Sequence, residues 1–338
     1  MKINGTLLNE TLGSVVLKGN PLGDPRLREV PVYVPPSYFK DRVRRYPVVY
    51  FLTGFIGTPK GVVDTHPWKE SLVERLDRLI AAGEARESIL VIPDCFTRYG
   101  GSQYINSEGA GRYEDHIVSE LVPYIDDKYR TPGAAEGRAV MGKSSGGYGA
   151  LVLGMRHPDV FGHVVCHSGD MFFEMSYASD FPKCVNALAQ YGGSFARFVR
   201  EFGRTREKIR LPHSLVGMAG MSCCYSPNPK SPMGFDIPFD ESTGETVPKV
   251  FKRWQAHDPV RLAARHAGGL KRLRTLFFDC GTRDEYYLHL GARKLSRELK
   301  RLGVRHVYEE HPFGHSDMNE RYDEGFKRLS EGFRKAGA

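Results

Sequence analysis

Runs of residues that are apolar at every position constrain this chain most. They are Val48-Val49-Tyr50-Phe51-Leu52, Ile89-Leu90-Val91-Ile92, Ala139-Val140-Met141, Val164-Val165-Cys166 and Leu276-Phe277-Phe278. A strand with one wet face alternates, whereas a strand buried on both faces does not. Burial on both faces is the condition of a parallel sheet sandwiched between helices. Between the runs lie apolar stripes at helical spacing. One comprises Leu72, Leu76, Leu79 and Ile80 before Gly83, and another Ile117, Leu121, Tyr124 and Ile125. Leu288, Ala292, Leu295, Leu299 and Leu302 stop at Gly303, and a last helix is expected to carry Met318, Tyr322, Phe326, Leu329 and Phe333. Strands alternating with helices predict a doubly wound α/β sheet. Val30, Val32 and Val34 alternate instead, and Pro35-Pro36 follows, so antiparallel pairing is expected near the start.

The rhythm breaks from about residue 171 to residue 265, a stretch rich in aromatic residues, Met, Gly and Pro (YSPNPKSPMGFDIPFD, for example). That is too long for a structureless connection. It reads as an inserted cap of helices and loops over the site of one domain spanning residues 1–338, with the insertion at about 171–265. No repeat or low-complexity tract suggests otherwise.

The segment GRAVMGKSSGG, Gly137 to Gly147, fits two motifs of different chemistry. As G-x-x-x-x-G-K-S it would cradle a nucleotide phosphate; as G-x-S-x-G it would present a nucleophilic serine. A phosphate loop needs its strand before the first glycine. Here a turn sequence, TPGAAE, precedes Gly137, and the strand residues 139–141 lie inside the supposed loop. The serine reading fits each position: the strand ends at Met141, Ser144 sits at the apex of a turn, and a helix runs from Gly146 through Leu151 and Met155. Gly142 and Gly146 would let strand and helix approach where a Cβ would clash. Lys143 then need only be accommodated beside the turn.

A serine hydroxyl needs a base, and the base needs a group that holds its tautomer. In α/β hydrolases these follow in the order Ser, Asp or Glu, His. Asp279, Asp284 and Glu285 all lie near the end of the strand at 276–278. Asp284, in the loop at the strand's carboxyl end, is placed best, with helix N-capping as its ordinary alternative. After the strand at 307–310 come His311 and His315, and His315, behind a glycine, is the better placed to reach back over the sheet. Oxyanion donors are expected from the backbone N–H of Ser145 and from that of Phe55, in the loop Thr53-Gly54-Phe55-Ile56-Gly57. Tyr104, Phe235, Trp254 and the Tyr225-Ser226-Pro227 region are candidate pocket walls, though ordinary packing explains each better.

The formal charge of +8 is spread along the sequence; its densest basic runs, Lys40 to Arg45 and Lys271 to Arg274, flank strands, and no nucleic-acid-binding motif accompanies them. No nucleic-acid partner is expected. No apolar run reaches the roughly 18 residues of a membrane span, and the amino terminus has no apolar signal core, so no membrane partner and a cytoplasmic location are expected. The six cysteines, with no C-x-x-C, should then be reduced. The chain is compatible with either a monomer or a homo-oligomer.

These residues together resemble the esterase D-like branch of the α/β hydrolases, which includes S-formylglutathione hydrolases, tributyrin and feruloyl esterases, enterochelin-type esterases and mycolyl acyltransferases. The similar stretches are VPVYVPPSY, YPVVYFLTGFIG, YEDHIVSELVPYIDDKYRT, GKSSGGYGAL, HPDVFGHVVCHSG, CGTRDE and FGHSD. The resemblance implies a triad of Ser144, Asp284 and His315, an oxyanion hole from the amides of Phe55 and Ser145, a small-molecule ester as substrate, and no metal or organic cofactor. It departs in two places. The insertion exceeds that of a minimal member, and Thr53-Gly54 replaces the His-Gly of lipases, which this branch tolerates. The same machinery also serves thioester hydrolysis or acyl transfer. A binding protein on an inactive hydrolase fold is the alternative of a different class.

Overall fold

The computed structural model describes residues 3–337. Its centre is an eight-stranded sheet built from β1 (Thr6–Gly13), β2 (Leu27–Val34), β3 (Val48–Leu52), β4 (Ile89–Val91), β5 (Arg138–Lys143), β6 (His163–His167), β7 (Thr275–Gly281) and β8 (Val307–His311). The spatial order is β1-β2-β4-β3-β5-β6-β7-β8. β1 pairs antiparallel with β2 and β2 with β4; every other pairing is parallel. The fully apolar runs are buried in the centre of the parallel part, as their composition requires.

Alternate residues of each strand feed two different cores. On one face Tyr50, Leu52, Val140, Val164, Cys166 and Phe278 pack with α2 (Ser145–Arg156) and α3 (Leu288–Arg301). On the other, Val49, Phe51, Met141, Val165 and Phe277 meet α1 (Leu72–Ala81) and α4 (Arg321–Ala336). α1 opens with a capping box: Ser71 Oγ accepts from the Glu74 amide at 3.2 Å, and the Glu74 carboxylate accepts from the Ser71 amide at 2.8 Å. It ends before Gly83, whose φ of +72° suits a residue without a Cβ.

Three local expectations need correction. β5 runs two residues further than expected, through Lys143, and α2 begins at Ser145. Met318 lies before α4, buried in the loop and accepting a hydrogen bond from Ser168 Oγ at its sulfur. The stripe at 117–125 is a π-helical stretch, His116–Leu121, followed by Val122–Lys128, because Pro123 cannot donate an amide to a continuous ladder.

Between β6 and β7 the chain adds no strand to the sheet. It forms helices Phe173–Ser176, Phe181–Leu188, Phe195–Arg204, His213–Tyr225, Pro248–Gln255 and Pro259–Arg265, with isolated bridges Pro227↔Phe235 and Phe239↔Thr246. All six cysteines are free and buried. Among the described residues no helix is long and apolar enough to cross a membrane.

Candidate active site

β3 and β5 are neighbours, with Leu52 opposite Gly142, although β4 and its flanking helices separate them in sequence. Their carboxyl ends therefore lie side by side where the strand order reverses, the place at which open α/β sheets carry their sites. The turn from β5 to α2 is tight. A Cβ on Gly146 would collide with the Leu52 carbonyl oxygen, and one on Gly142 would stand 2.7 Å from the same atom. Ser144 is left at φ +58°, ψ −125°, its amide donating to His167 O at 2.9 Å and its carbonyl accepting from the Tyr148 amide at 2.8 Å. A non-glycine residue at positive φ is costly and persists where its surroundings dictate it. The strand residues Val140 and Met141 fill the middle of the alternative phosphate motif, which therefore forms no loop.

The loop after β3 is pinned from both ends. Thr53 Oγ1 donates to Gly57 O at 3.0 Å, and Tyr104 Oη donates to Thr53 O at 2.6 Å. The amides of Phe55 and Ser145 donate to no other described residue, and both residues line one cavity with Ser144. The first amides of a helix have no partner within it, which accounts for Ser145.

His315 stands in the same cavity, between β8 and α4. Its Nδ1 is 2.8 Å from Asp284 Oδ2, its ring meets Tyr286 edge-on at 4.9 Å between centroids, and its amide donates to Glu285 Oε2 at 2.7 Å. Asp284 Oδ1 accepts from the amides of Tyr286 at 3.0 Å and Leu288 at 3.4 Å. Burial opposes the charge on Asp284, but the hydrogen bond and charge of His315 and the two amides outweigh it and hold the carboxyl below its usual value. The contact with imidazole and the two amide bonds thus belong to one side chain, while the N-cap of α3 is Tyr287, with no side-chain cap bond. Among the described residues no hydrogen bond joins Ser144 Oγ to His315; such contacts are commonly loose before a substrate binds.

The competing residues sit elsewhere. Asp279 is engaged by His167 Nδ1 at 2.7 Å and Arg321 Nε at 2.8 Å, and is buried. His311 is buried with both ring nitrogens unpartnered. Glu285 holds backbone. Tyr104, Phe235, Trp254 and Tyr225 are packed in the core and do not line the cavity. Its walls are instead Tyr177, His213, Met218, Met221 and Tyr286, with Asp170 and Lys143. Lys143, expected only to be accommodated, thus borders the site; burial first and then Lys69 push its ammonium down. No sequence pattern marks these walls, since most come from helices placed by tertiary packing.

The cavity is about 510 Å³. A second depression, of about 620 Å³, is lined by residues such as Glu136, Gly162, Arg274 and Arg305 at the amino ends of the strands, and it carries no nucleophile. Among the described residues no group of three or more His, Cys, Asp or Glu side chains is placed to hold a metal ion.

The sheet order, the strained serine turn and the flanking helices are those of an α/β-hydrolase fold. Residues 25–300 match the family model described as Putative esterase, and the chain belongs to that family. Its fold is similar to that of a ferulic acid esterase (TM-score 0.64, 22% identity, covering 98% of this chain and 100% of that one). It is also similar to an S-formylglutathione hydrolase from Agrobacterium tumefaciens (TM-score 0.60, 15% identity, 98% and 97%). In sequence it is 29% identical over 154 residues to an endo-1,4-beta-xylanase/feruloyl esterase of Xylanibacter ruminicola, a match covering 44% of this chain and 20% of that protein. It is 30% identical over 135 residues to Esterase Rv1288 of Mycobacterium tuberculosis, covering 40% and 27%. The matches thus span about a quarter or less of those relatives' lengths.

Proposed function

We propose that the chain is a serine carboxylesterase that hydrolyses esters of small or medium acyl groups through an acyl-enzyme. His315 Nε2 takes the proton of Ser144 Oγ as the oxygen attacks the ester carbonyl. Asp284 holds the Nδ1–H tautomer and stabilises the imidazolium. The carbonyl oxygen, now an oxyanion, accepts from the amides of Phe55 and Ser145. Collapse of the intermediate breaks the bond to the alcohol, which leaves with the proton from His315. Water, deprotonated by the same imidazole, attacks the acyl-enzyme and releases the acid and Ser144. The whole chain acts as one domain in which residues 171–265 form the cap.

The observation that carries this reading is the 2.8 Å contact of His315 with the buried Asp284, where His315 lines the cavity that also holds Ser144 at positive φ. The family membership and the two free amides support it. Hydrolysis of p-nitrophenyl butyrate by the native protein and by Ser144→Ala tests it: turnover should fall by about 10⁴ to 10⁶. A variant as active as the native protein contradicts the proposal. Feruloyl esters and S-formylglutathione, assayed beside the p-nitrophenyl series, separate oxygen-ester from thioester preference.

A further inference from the structure

Five aspartates are buried among the described residues: Asp77, Asp170, Asp258, Asp279 and Asp284. A buried carboxylate is costly unless donors surround it, and four of these use both oxygens. Asp77 takes Tyr33 Oη on Oδ1 and Asn4 on Oδ2. Asp258 takes the amides of Phe172 on Oδ1 and Phe173 on Oδ2. Asp279 and Asp284 divide their partners in the same way.

Asp170 is different. Its internal donors crowd onto Oδ2: Tyr177 Oη at 2.9 Å, Gln103 Nε2 at 3.2 Å and Ser145 Oγ at 3.2 Å. Oδ1 accepts from no described residue, yet it is not among the polar atoms sealed in the interior, and Asp170 lines the cavity of Ser144. Among the described residues no Lys or Arg pairs with the carboxylate. Burial pushes its carboxyl up, against the pull of Tyr177, Gln103, His315 and Ser145. An acceptor fixed by three bonds on one oxygen, one of them from Ser145 beside Ser144, with its other oxygen open to the cavity that Ser144 lines, is a binding group waiting for a donor.

We propose that Asp170 Oδ1 is a specificity-determining acceptor that selects esters bearing a free hydroxyl close to the scissile carbonyl. This rests on the esterase reading of the same site. A neutral hydroxyl suits it better than an ammonium. The cavity already holds Lys69 and Lys143, neither of which forms an ion pair among the described residues, and a cationic group would be repelled. A hydroxyl also gives up less hydration on entering. It could be carried by the acid or by the alcohol half of the ester.

The test measures kcat/KM for two matched pairs. Methyl 3-hydroxybutanoate against methyl 3-methoxybutanoate places the hydroxyl on the acid, and glycerol monobutyrate against its dimethyl ether places it on the alcohol. The native protein should prefer the hydroxyl member of one pair by roughly tenfold or more, as expected for a hydrogen bond to a charged group, and the pair that responds identifies the half. In Asp170→Asn the three internal donors hold the amide oxygen in the place of Oδ2, so the amide nitrogen replaces Oδ1 and offers a donor. Hydroxyl and methyl ether are then both acceptors, and the ratio should fall to within about threefold of one. A ratio that survives the substitution overturns the proposal. So does a native protein without preference in either pair, which keeps the test valid if the variant does not fold. If the native protein hydrolyses p-nitrophenyl butyrate but shows no preference in either pair, only this inference fails; if it hydrolyses neither p-nitrophenyl butyrate nor any of the four esters, the esterase reading fails as well.

Discussion

Asp284 joins two tasks that separate under substitution. Asn in its place can still accept from the amides of Tyr286 and Leu288 through Oδ1, but it would turn an NH₂ group toward His315 Nδ1 and favour the wrong tautomer. Asp284→Asn is therefore expected to lower kcat by about 10³ to 10⁴ with little change in melting temperature. Asp284→Ala should lose a similar amount of activity and, in addition, about 1 kcal/mol of stability with the two lost amide bonds. Steady-state kinetics and thermal melts of the two variants check this; equal melting temperatures for Asn and Ala would show that the amide bonds carry no weight. At this scale the spacing of Ser144 to glycines made its strand-to-helix turn legible. It left Asp284 competing with Asp279 and Glu285, because chain position does not reveal which carboxylate turns toward an imidazole from another loop. The structure separates them by partner: Asp279 to Arg321 and His167, Glu285 to a backbone amide, Asp284 to His315.

Among the elements, the junction of β3, β5 and α2 is where packing holds Ser144 at its positive φ. Gly146→Ala would press a methyl group into the Leu52 carbonyl, and the strand or the helix must move. We expect a loss of about 1–3 kcal/mol and a larger loss of turnover. Gly268→Ala is the control: a Cβ there meets nothing within 4 Å, and its helix, Ala267–Arg272, should gain up to about 1 kcal/mol. Chemical denaturation of both variants tests the contrast. The end of β7 is tied to β6 and α4 by Asp279, whose carboxyl is buried. Burial opposes its charge, but His167 and Arg321 outweigh that and hold it below its ordinary 3.8. A carboxyl lower in the folded than in the unfolded chain favours folding above the unfolded value. That contribution disappears as the pH falls through the folded value. Asp279→Asn should cost about 3 kcal/mol at pH 7, and urea titrations at pH 7 and pH 3 should find the gap to the native protein narrowed in acid. The parallel strands were legible because burial on both faces leaves an unbroken apolar run. β1 was not, since TLLNETLG lies at the sheet edge, half exposed, and its polar residues hide the alternation.

For the whole molecule, the sheet positions Ser144 and the insertion after β6 shapes the space above it. Met218 and Met221, from helix His213–Tyr225, and Tyr177 wall a cavity of about 510 Å³. Met218→Trp should narrow it, so that kcat/KM for p-nitrophenyl octanoate falls at least about tenfold relative to the acetate; an unchanged ratio would remove Met218 from the acyl-binding wall. The length and composition of residues 171–265 pointed to an insertion. They did not point to these walls, because contact across the site depends on how several short helices fold over one another. The account's central claim is that Ser144 is a nucleophile activated by its surroundings, and covalent capture tests it most directly. Incubation with a fluorophosphonate followed by peptide mass spectrometry should find one phosphonyl adduct, on Ser144, with labelling strongly slowed in His315→Ala and absent in Ser144→Ala. An unlabelled native protein, or an adduct carried by another serine, would contradict it.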